Sequence, residues 1–146
     1  MSHTPDRSGD GALARADVAA RLPAQDLERA RAFFADKLGL QPVEEREGGL
    51  HYRCGSTVFS AFASAGGPSG QHTQMAWEVD DIEAAVAHLR ARGVVFDDYD
   101  LPGLKTVDGI AEIAGTYPSG GGIGERAAWF HDSEGNLLGL GQPIHP

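Results

Sequence analysis

The strongest constraint on the fold of this chain is an internal repeat. The segment 22–30 returns about 55 positions later as the segment 77–85. In each copy an apolar stretch leads into an aspartate, Asp26 or Asp81, and a helical pattern of apolar residues then continues to a glycine. A repeat of this length is a whole supersecondary unit, so the chain is predicted to contain two copies of one unit.

Each copy carries the signals of an amphipathic helix. Asp26 and Asp81 stand where an N-cap residue accepts a hydrogen bond from the first turn, and Gly39 and Gly93 end the two patterns. Apolar residues recur between them at spacings of three and four, which places them on one helix face that is predicted to lie on a sheet. These residues are Leu27, Ala30, Phe33, Phe34 and Leu38 in the first copy and Ile82, Val86 and Leu89 in the second.

Short strand-like segments follow each helix. Residues 42–63 alternate in polarity and are interrupted at two turns, 48–49 and 54–56, so three strands fit there. After the second helix, strands are predicted at 94–96, 110–114, 126–131 and 137–140, with a hairpin turn at 132–136. With one strand before each helix, the order is βαβββ twice, and the short segment 94–96 is an additional strand in the second copy. We therefore predict an α+β fold in which two βαβββ repeat units form a cleft between curved mixed sheets.

The chain is predicted to be one domain with a tail. At 146 residues, of which 41% are apolar, it has the size and composition of a single domain with a core. Residues 1–14 are rich in Ser, Gly and Asp and lack the apolar segment of a signal peptide, so they are predicted to be a flexible tail. The domain is then 15–142, with unit one at about 17–64 and unit two at about 72–142.

Charge and cysteine content narrow the classes of partner. The formal charge of −9, without a cluster of Lys and Arg, argues against nucleic acid and favours a neutral or cationic small molecule. No segment is long and apolar enough to span a bilayer, so no membrane partner is predicted. The single cysteine, Cys54, excludes an intrachain disulfide and favours a reducing compartment, so the predicted location is the cytoplasm.

Several motifs resemble the vicinal oxygen chelate superfamily, which contains glyoxalase I, extradiol dioxygenases, bleomycin-resistance proteins and fosfomycin-resistance enzymes. The motifs are the segments 26–34, 38–40, 77–82 and 129–136, and the resemblance extends over 18–141. It implies the fold predicted above. Because one fold supports many chemistries, function has to be argued from the residues of the site.

The resemblance implies four positions at which relatives hold a divalent metal through His, Gln or Glu. Two lie seven residues before the helix-capping aspartates, at Ala19 and Gln74, and two lie on the last strands, near Ser60 and Gly139. Alanine and glycine have no donor atom, and serine is a poor ligand for these ions. Gln74 alone cannot hold a metal that requires three or four ligands. We therefore predict a cleft without metal and a protein without a cofactor.

The predicted ligand-binding residues are His51, Ser60, Phe62, Gln74 and Phe130. If the hairpin at 54–57 pairs simply, His51 stands across from Ser60 on the face that lines the cleft. His51 is then either a hydrogen-bonding residue of the lining or an acid or base, because histidine exchanges protons near neutral pH. Aromatic residues with few polar groups suit a flat, largely apolar organic ligand.

Two classes of function remain open. The first is a metal-independent small-molecule-binding protein of the glyoxalase/bleomycin-resistance type, which captures a largely apolar organic ligand, one that can also be cationic, in the cleft between the sheets. The alternative is a glyoxalase- or dioxygenase-like lyase, isomerase or oxygenase that uses a divalent metal or His51 as acid or base; no catalytic residue is assigned for it. A domain that binds an unidentified metabolite is a third possibility. A twofold homodimer is predicted, because the units expose sheet edges and relatives complete their clefts by pairing.

Overall fold

In a computed structural model of the protein, which describes residues 11–115 and 122–146, the described residues form two α-helices and ten β-strands. A short 3-10 turn, Leu13–Arg15, precedes them. The helices are α1 (Leu27–Leu38) and α2 (Ile82–Ala91). The strands are β1 (Ala20–Ala24), β2 (Glu44–Arg46), β3 (Gly49–Cys54), β4 (Thr57–Ala63), β5 (Thr73–Glu78), β6 (Asp100–Leu101), β7 (Leu104–Lys105), β8 (Ala111–Ala114), β9 (Gly124–His131) and β10 (Leu137–Ile144).

The strands form two sheets with the same topology. Sheet A has the order β1-β4-β3-β2, and sheet B has the order β5-β10-β9-β8. In each sheet the strand before the helix pairs in parallel with the last strand, and the other neighbours are antiparallel. The small hairpin β6–β7 is inserted between α2 and β8. This arrangement confirms the predicted α+β fold of two βαβββ units.

Both helices are capped as their sequences predict. The Asp26 carboxyl accepts a hydrogen bond from the backbone N–H of Arg29 at 3.0 Å, and the Asp81 carboxyl accepts one from the backbone N–H of Ala84 at 3.1 Å. Gly39 follows α1 with a φ of 69°, a left-handed conformation that glycine adopts without strain. Local sequence therefore determines where these helices start and where α1 ends.

The helix-facing sides of both sheets share one hydrophobic core. Phe34 of α1 packs against Phe59 of sheet A with ring centroids 5.8 Å apart. Phe59 in turn meets Trp77 of sheet B at 5.9 Å, and Trp77 stacks on Phe130 at 6.4 Å. Because the core lies between the helix-facing sides of the two sheets, the opposite side of each sheet is directed away from it. We call these sides the outer face of sheet A and the outer face of sheet B.

The turn between β9 and β10 attaches unit two to unit one. The buried Glu134 carboxyl accepts hydrogen bonds from Arg29 Nε at 2.7 Å and from the backbone N–H of Asp26 at 2.9 Å. The Asn136 side-chain amide donates to the backbone carbonyl of Pro23 at 3.0 Å. The hydrogen bond from Arg29 lowers the pKa of Glu134 to about 2. The carboxyl therefore remains charged, and the pairing persists, well below neutral pH.

Unit two differs in detail from its predicted strands. Residues 94–96 contribute only an isolated bridge between Phe96 and Phe130, whereas β9 begins two residues earlier and β10 ends four residues later than predicted. The longer strands form because β9 and β10 pair over eight residues each. The hairpin β6–β7 was not predicted, and it turns at Gly103 with a φ of 77°.

The predicted tail and boundaries remain predictions. Residues 1–10 of the predicted tail 1–14 lie outside the described residues, and those from 11 to 14 are exposed. Neither described helix is long and apolar enough to cross a membrane.

Candidate functional site

The outer face of sheet A carries a polar row that crosses all four strands. Alternation along β3 places Tyr52 in the core and His51 on the outer face. Cross-strand pairing then aligns Arg21 with Ser60, Ser60 with His51, and His51 with Glu44. The predicted pairing of His51 with Ser60 is confirmed. Arg21 and Glu44 extend the row at its two ends.

A second, apolar row runs beside the first. Phe62 is aligned with Pro23 on one side and with Gly49 on the other. The Arg21 guanidinium carbon lies 5.1 Å from the centroid of the Phe62 ring, which is within the range of a cation–π contact. A Cβ added at Gly49 would have its nearest neighbours at 3.8 and 3.9 Å, so the glycine leaves space beside the ring. The three predicted residues His51, Ser60 and Phe62 are thus brought together.

The outer face of sheet B contains a pocket of about 250 Å³. Trp129 and Ala76 flank Gly139, because a Cβ added at Gly139 would lie 3.4 Å from Trp129 Cδ1 and 3.5 Å from the Ala76 Cβ. The Glu125 carboxyl occupies the space that a side chain at Gly141 would need. Gly139 of β10 therefore lines the pocket beside the Trp129 ring, and the absence of a side chain at Gly141 leaves room for the Glu125 carboxyl.

Two of the polar groups that line this pocket, the Gln74 amide oxygen and the Glu125 carboxyl, are hydrogen-bond acceptors. Gln74 lines it, and the buried Gln74 Oε1 accepts no hydrogen bond from the described residues. The Glu125 side chain is also buried there. Trp129 is held by Tyr99, whose ring meets it edge to face at a centroid distance of 5.5 Å. The pocket can therefore accept hydrogen bonds from a ligand while an ordered aromatic ring contacts it.

The placement of Phe130 in the cleft requires correction. Its side chain is fully buried on the helix-facing side of sheet B, where it stacks on Trp77 and meets Phe96 at 5.5 Å. Successive residues of a strand point to opposite faces, so Trp129, its neighbour, faces the pocket instead. Phe130 is a core residue, and it does not share a face with Gln74.

One chain does not bring the five predicted residues into one pocket. His51, Ser60 and Phe62 lie on the outer face of sheet A, and Gln74 lies on the outer face of sheet B. Sequence reasoning missed Arg21, Glu125 and Trp129 as residues of these faces. Alternation from the buried Leu22 could have located Arg21, but Glu125 lies before the predicted start of its strand.

The four positions implied as metal ligands do not form a metal site. Ala19 precedes β1, Ser60 pairs with Arg21, and Gly139 pairs with Ala76. Of these four residues, only Gln74 has a side-chain oxygen suited to coordinate such an ion. A first-row metal requires three or four ligands. Across residues 11–115 and 122–146, no three His, Cys, Asp or Glu side chains are grouped so that they could hold an ion. The donor set does not fit a divalent metal, and metal-free function stays a prediction.

A wider groove of about 800 Å³ lies elsewhere, between α2 and the β6–β7 hairpin. Its arginines are engaged by neighbouring groups. Arg126 pairs with Glu83 at 3.0 Å, and Arg90 donates to the Asp108 carbonyl at 2.9 Å. These contacts stabilise the attachment of the helix and the loop, so the groove is a weaker candidate than the outer faces.

Comparison with known proteins agrees with this architecture. The family model described as Glyoxalase/Bleomycin resistance protein/Dioxygenase superfamily matches residues 15–140. None of the curated proteins matches the chain.

Three solved structures illustrate the likeness. A glyoxalase/bleomycin resistance protein/dioxygenase from Nocardioides is 20% identical, with a TM-score of 0.59 over 86% of this chain and 82% of that chain. The bleomycin resistance determinant encoded on the transposon Tn5 is 20% identical, with a TM-score of 0.59 over 88% and 98%. TnmS3, an antibiotic binding protein from Streptomyces sp. CB03234, is 22% identical, with a TM-score of 0.55 over 86% and 93%. At these identities the likeness shows the fold.

Proposed function

We propose, from the premise that the chain belongs to the Glyoxalase/Bleomycin resistance protein/Dioxygenase superfamily, that it captures a small organic molecule at the outer faces of its sheets. The observation that carries the proposal is the pocket beside Trp129, where the buried Gln74 Oε1 accepts no hydrogen bond from the described residues. Binding is proposed instead of metal-dependent lyase, isomerase or oxygenase chemistry because Ala19 and Gly139 have no donor atoms. The cytoplasm remains the proposed location, consistent with the free thiol of Cys54.

The chemistry of the pocket indicates the type of ligand. Trp129 and Ala76 provide apolar contact for a flat ring, and burial contributes about 25 cal/mol for each Å² removed from water. The acceptor on Gln74 suits a ligand that donates an N–H group, with roughly 1 kcal/mol for the hydrogen bond. The charge of −9 favours a cationic ligand group through long-range attraction. Two structural neighbours are described as antibiotic-binding or bleomycin-resistance proteins, which agrees with this ligand type.

The proposal includes a twofold homodimer. The outer face of sheet A carries Arg21, Arg46 and Arg53, whereas the outer face of sheet B carries Glu78 and Glu125. These faces are directed away from each other within one chain, and their charges are complementary. In a twofold dimer, sheet A of each chain could cover sheet B of the other and form two equal clefts. Light scattering at micromolar concentration should give the mass of two chains, and a monomer mass would refute this part.

Calorimetry with two planar probes tests the site. At neutral pH proflavine is a cation and acridine is neutral, so proflavine should bind more tightly. Trp129→Ala should weaken proflavine binding about tenfold or more, and Gln74→Ala should weaken it less, because the ring loses more buried area. Leu101→Ala, in the groove beside α2, is the matched control and should leave binding unchanged. Loss of binding in the Leu101 variant with unchanged binding in the Trp129 variant would refute the proposed site. Bleomycin is a third probe for the same variants.

A further inference from the structure

The outer face of sheet A has a charge opposite to that of the whole chain. The chain carries −9, but this face presents three arginines, Arg21, Arg46 and Arg53, and only one acid, Glu44, among its strand residues. Arg46 donates to the Glu44 carboxyl from Nε at 2.6 Å and approaches it with Nη2 at 2.5 Å. Those two charges compensate each other. Because Glu44 is the one acid among the strand residues of this face and is paired with Arg46, the positive charge of Arg21 on β1 is not compensated there.

Three potential donors stand in a row on this face. Arg21, Ser60 and His51 are successive cross-strand neighbours, and strands lie about 4.8 Å apart, so the row is roughly 10 Å long. Within the part of the chain that the structure describes, no hydrogen bond or ion pair engages these three side chains. The Arg21 guanidinium makes a cation–π contact with the Phe62 ring. The guanidinium, hydroxyl and imidazole groups are all able to donate hydrogen bonds.

The neighbouring row supplies an apolar platform. Phe62 is half-buried between Pro23 and Gly49, and the glycine leaves space beside the ring. A guanidinium stacked on an aromatic ring still directs its N–H groups outward in the plane of the group. A flat ligand lying over Phe62 and Gly49 would therefore have its edge beside Arg21 and Ser60.

We propose that this face is the subsite for an aromatic carboxylate. The Arg21 guanidinium binds the carboxylate, Ser60 and His51 donate further hydrogen bonds, and the aromatic ring of the ligand lies on Phe62. A carboxylate is the class that fits because its planar pair of oxygens matches the guanidinium fork. The inference rests on the proposed function. It places the carboxylate end of the ligand on the outer face of sheet A, while the N–H groups of the same ligand face the acceptors on the outer face of sheet B.

The test compares two probes of equal shape, 2-naphthoate and neutral 2-naphthamide, by calorimetry on the full chain. The wild-type protein should bind naphthoate at least about tenfold more tightly than naphthamide, which is the scale of one hydrogen bond between charged groups. Arg21→Gln should remove this preference, and Arg21→Lys should restore part of it. Phe62→Leu should weaken both probes by a similar factor and leave their ratio unchanged.

Arg31→Gln is the matched control, because it removes the same charge from the opposite side of sheet A, where Arg31 pairs with Glu45. This variant should keep the preference for naphthoate. Equal loss of preference in the Arg21 and Arg31 variants would show an effect of net charge alone and would overturn the subsite. Equal binding of the two probes by the wild-type protein, or binding of neither, would also overturn it. The proflavine titration with the Trp129 variant tests the proposed function separately, so the two failures are distinguishable.

Discussion

Replacement of Glu134 by glutamine should destabilise the protein because this carboxyl connects the two units. It accepts hydrogen bonds from Arg29 Nε, Arg29 Nη2, the backbone N–H of Asp26 and the Ser133 hydroxyl, at 2.7 to 3.0 Å. The pKa of Glu134 falls from 4.5 to about 2, chiefly through Arg29, which corresponds to roughly 3 kcal/mol. The Arg29 side chain is 53% exposed, so solvent screening reduces the expected loss to about 2 kcal/mol.

Urea denaturation of the wild-type protein and Glu134→Gln at several pH values measures this loss. Because the pKa is lowered in the folded state, the stabilisation is fully present above about pH 4.5 and is lost as the pH falls towards about 2. The difference between the two proteins should therefore shrink over that interval. Glu28→Gln, whose side chain is 81% exposed beside Arg31, is the control and should change stability by less than about 0.5 kcal/mol. A loss as small as that control, or one that is constant from pH 7 to 3, would refute the reasoning.

Three further outcomes are expected. Gly139→Ala should fold normally, because its new methyl group makes ordinary contacts. Gly141→Ala should displace the Glu125 carboxyl and weaken proflavine binding. Thermal melts test the folding of both variants, and calorimetry tests their binding. Phe130→Ala should cost about 3–5 kcal/mol of stability as a core truncation, and Phe62→Ala should cost much less, which chemical denaturation measures. Elemental analysis of dialysed protein should find no stoichiometric transition metal; about one zinc, iron, nickel or manganese per chain would contradict the metal-free cleft.

Local signals were sufficient to predict the helices and most strands. The N-cap roles of Asp26 and Asp81 depend only on the residues that follow them, and the pairing of His51 with Ser60 depends only on a short hairpin. Such features are determined by a few neighbouring residues, so periodicity and turn residues reveal them.

The composition of the site was less predictable because it depends on tertiary packing. Trp129 and Phe130 are adjacent aromatic residues, so polarity alone does not indicate which of them faces the core. The core contact between Phe59 and Trp77 joins the helix-facing sides of both sheets and directs Gln74 away from His51. No local sequence pattern predicts that contact, because its two residues belong to different units.

The most direct test of the proposed cleft mixes two variants that each bind proflavine weakly. If sheet A of one chain covers sheet B of its partner, Phe62→Ala and Trp129→Ala should each weaken proflavine binding as homodimers. A heterodimer formed by refolding the two variants together contains one cleft with both residues intact. Half of the dimers in an equal, randomly paired mixture are heterodimers, so tight binding should return at about a quarter of the wild-type number of sites. If the mixture binds no better than the two separate variants, the ligand is not held between the two chains and the account is contradicted.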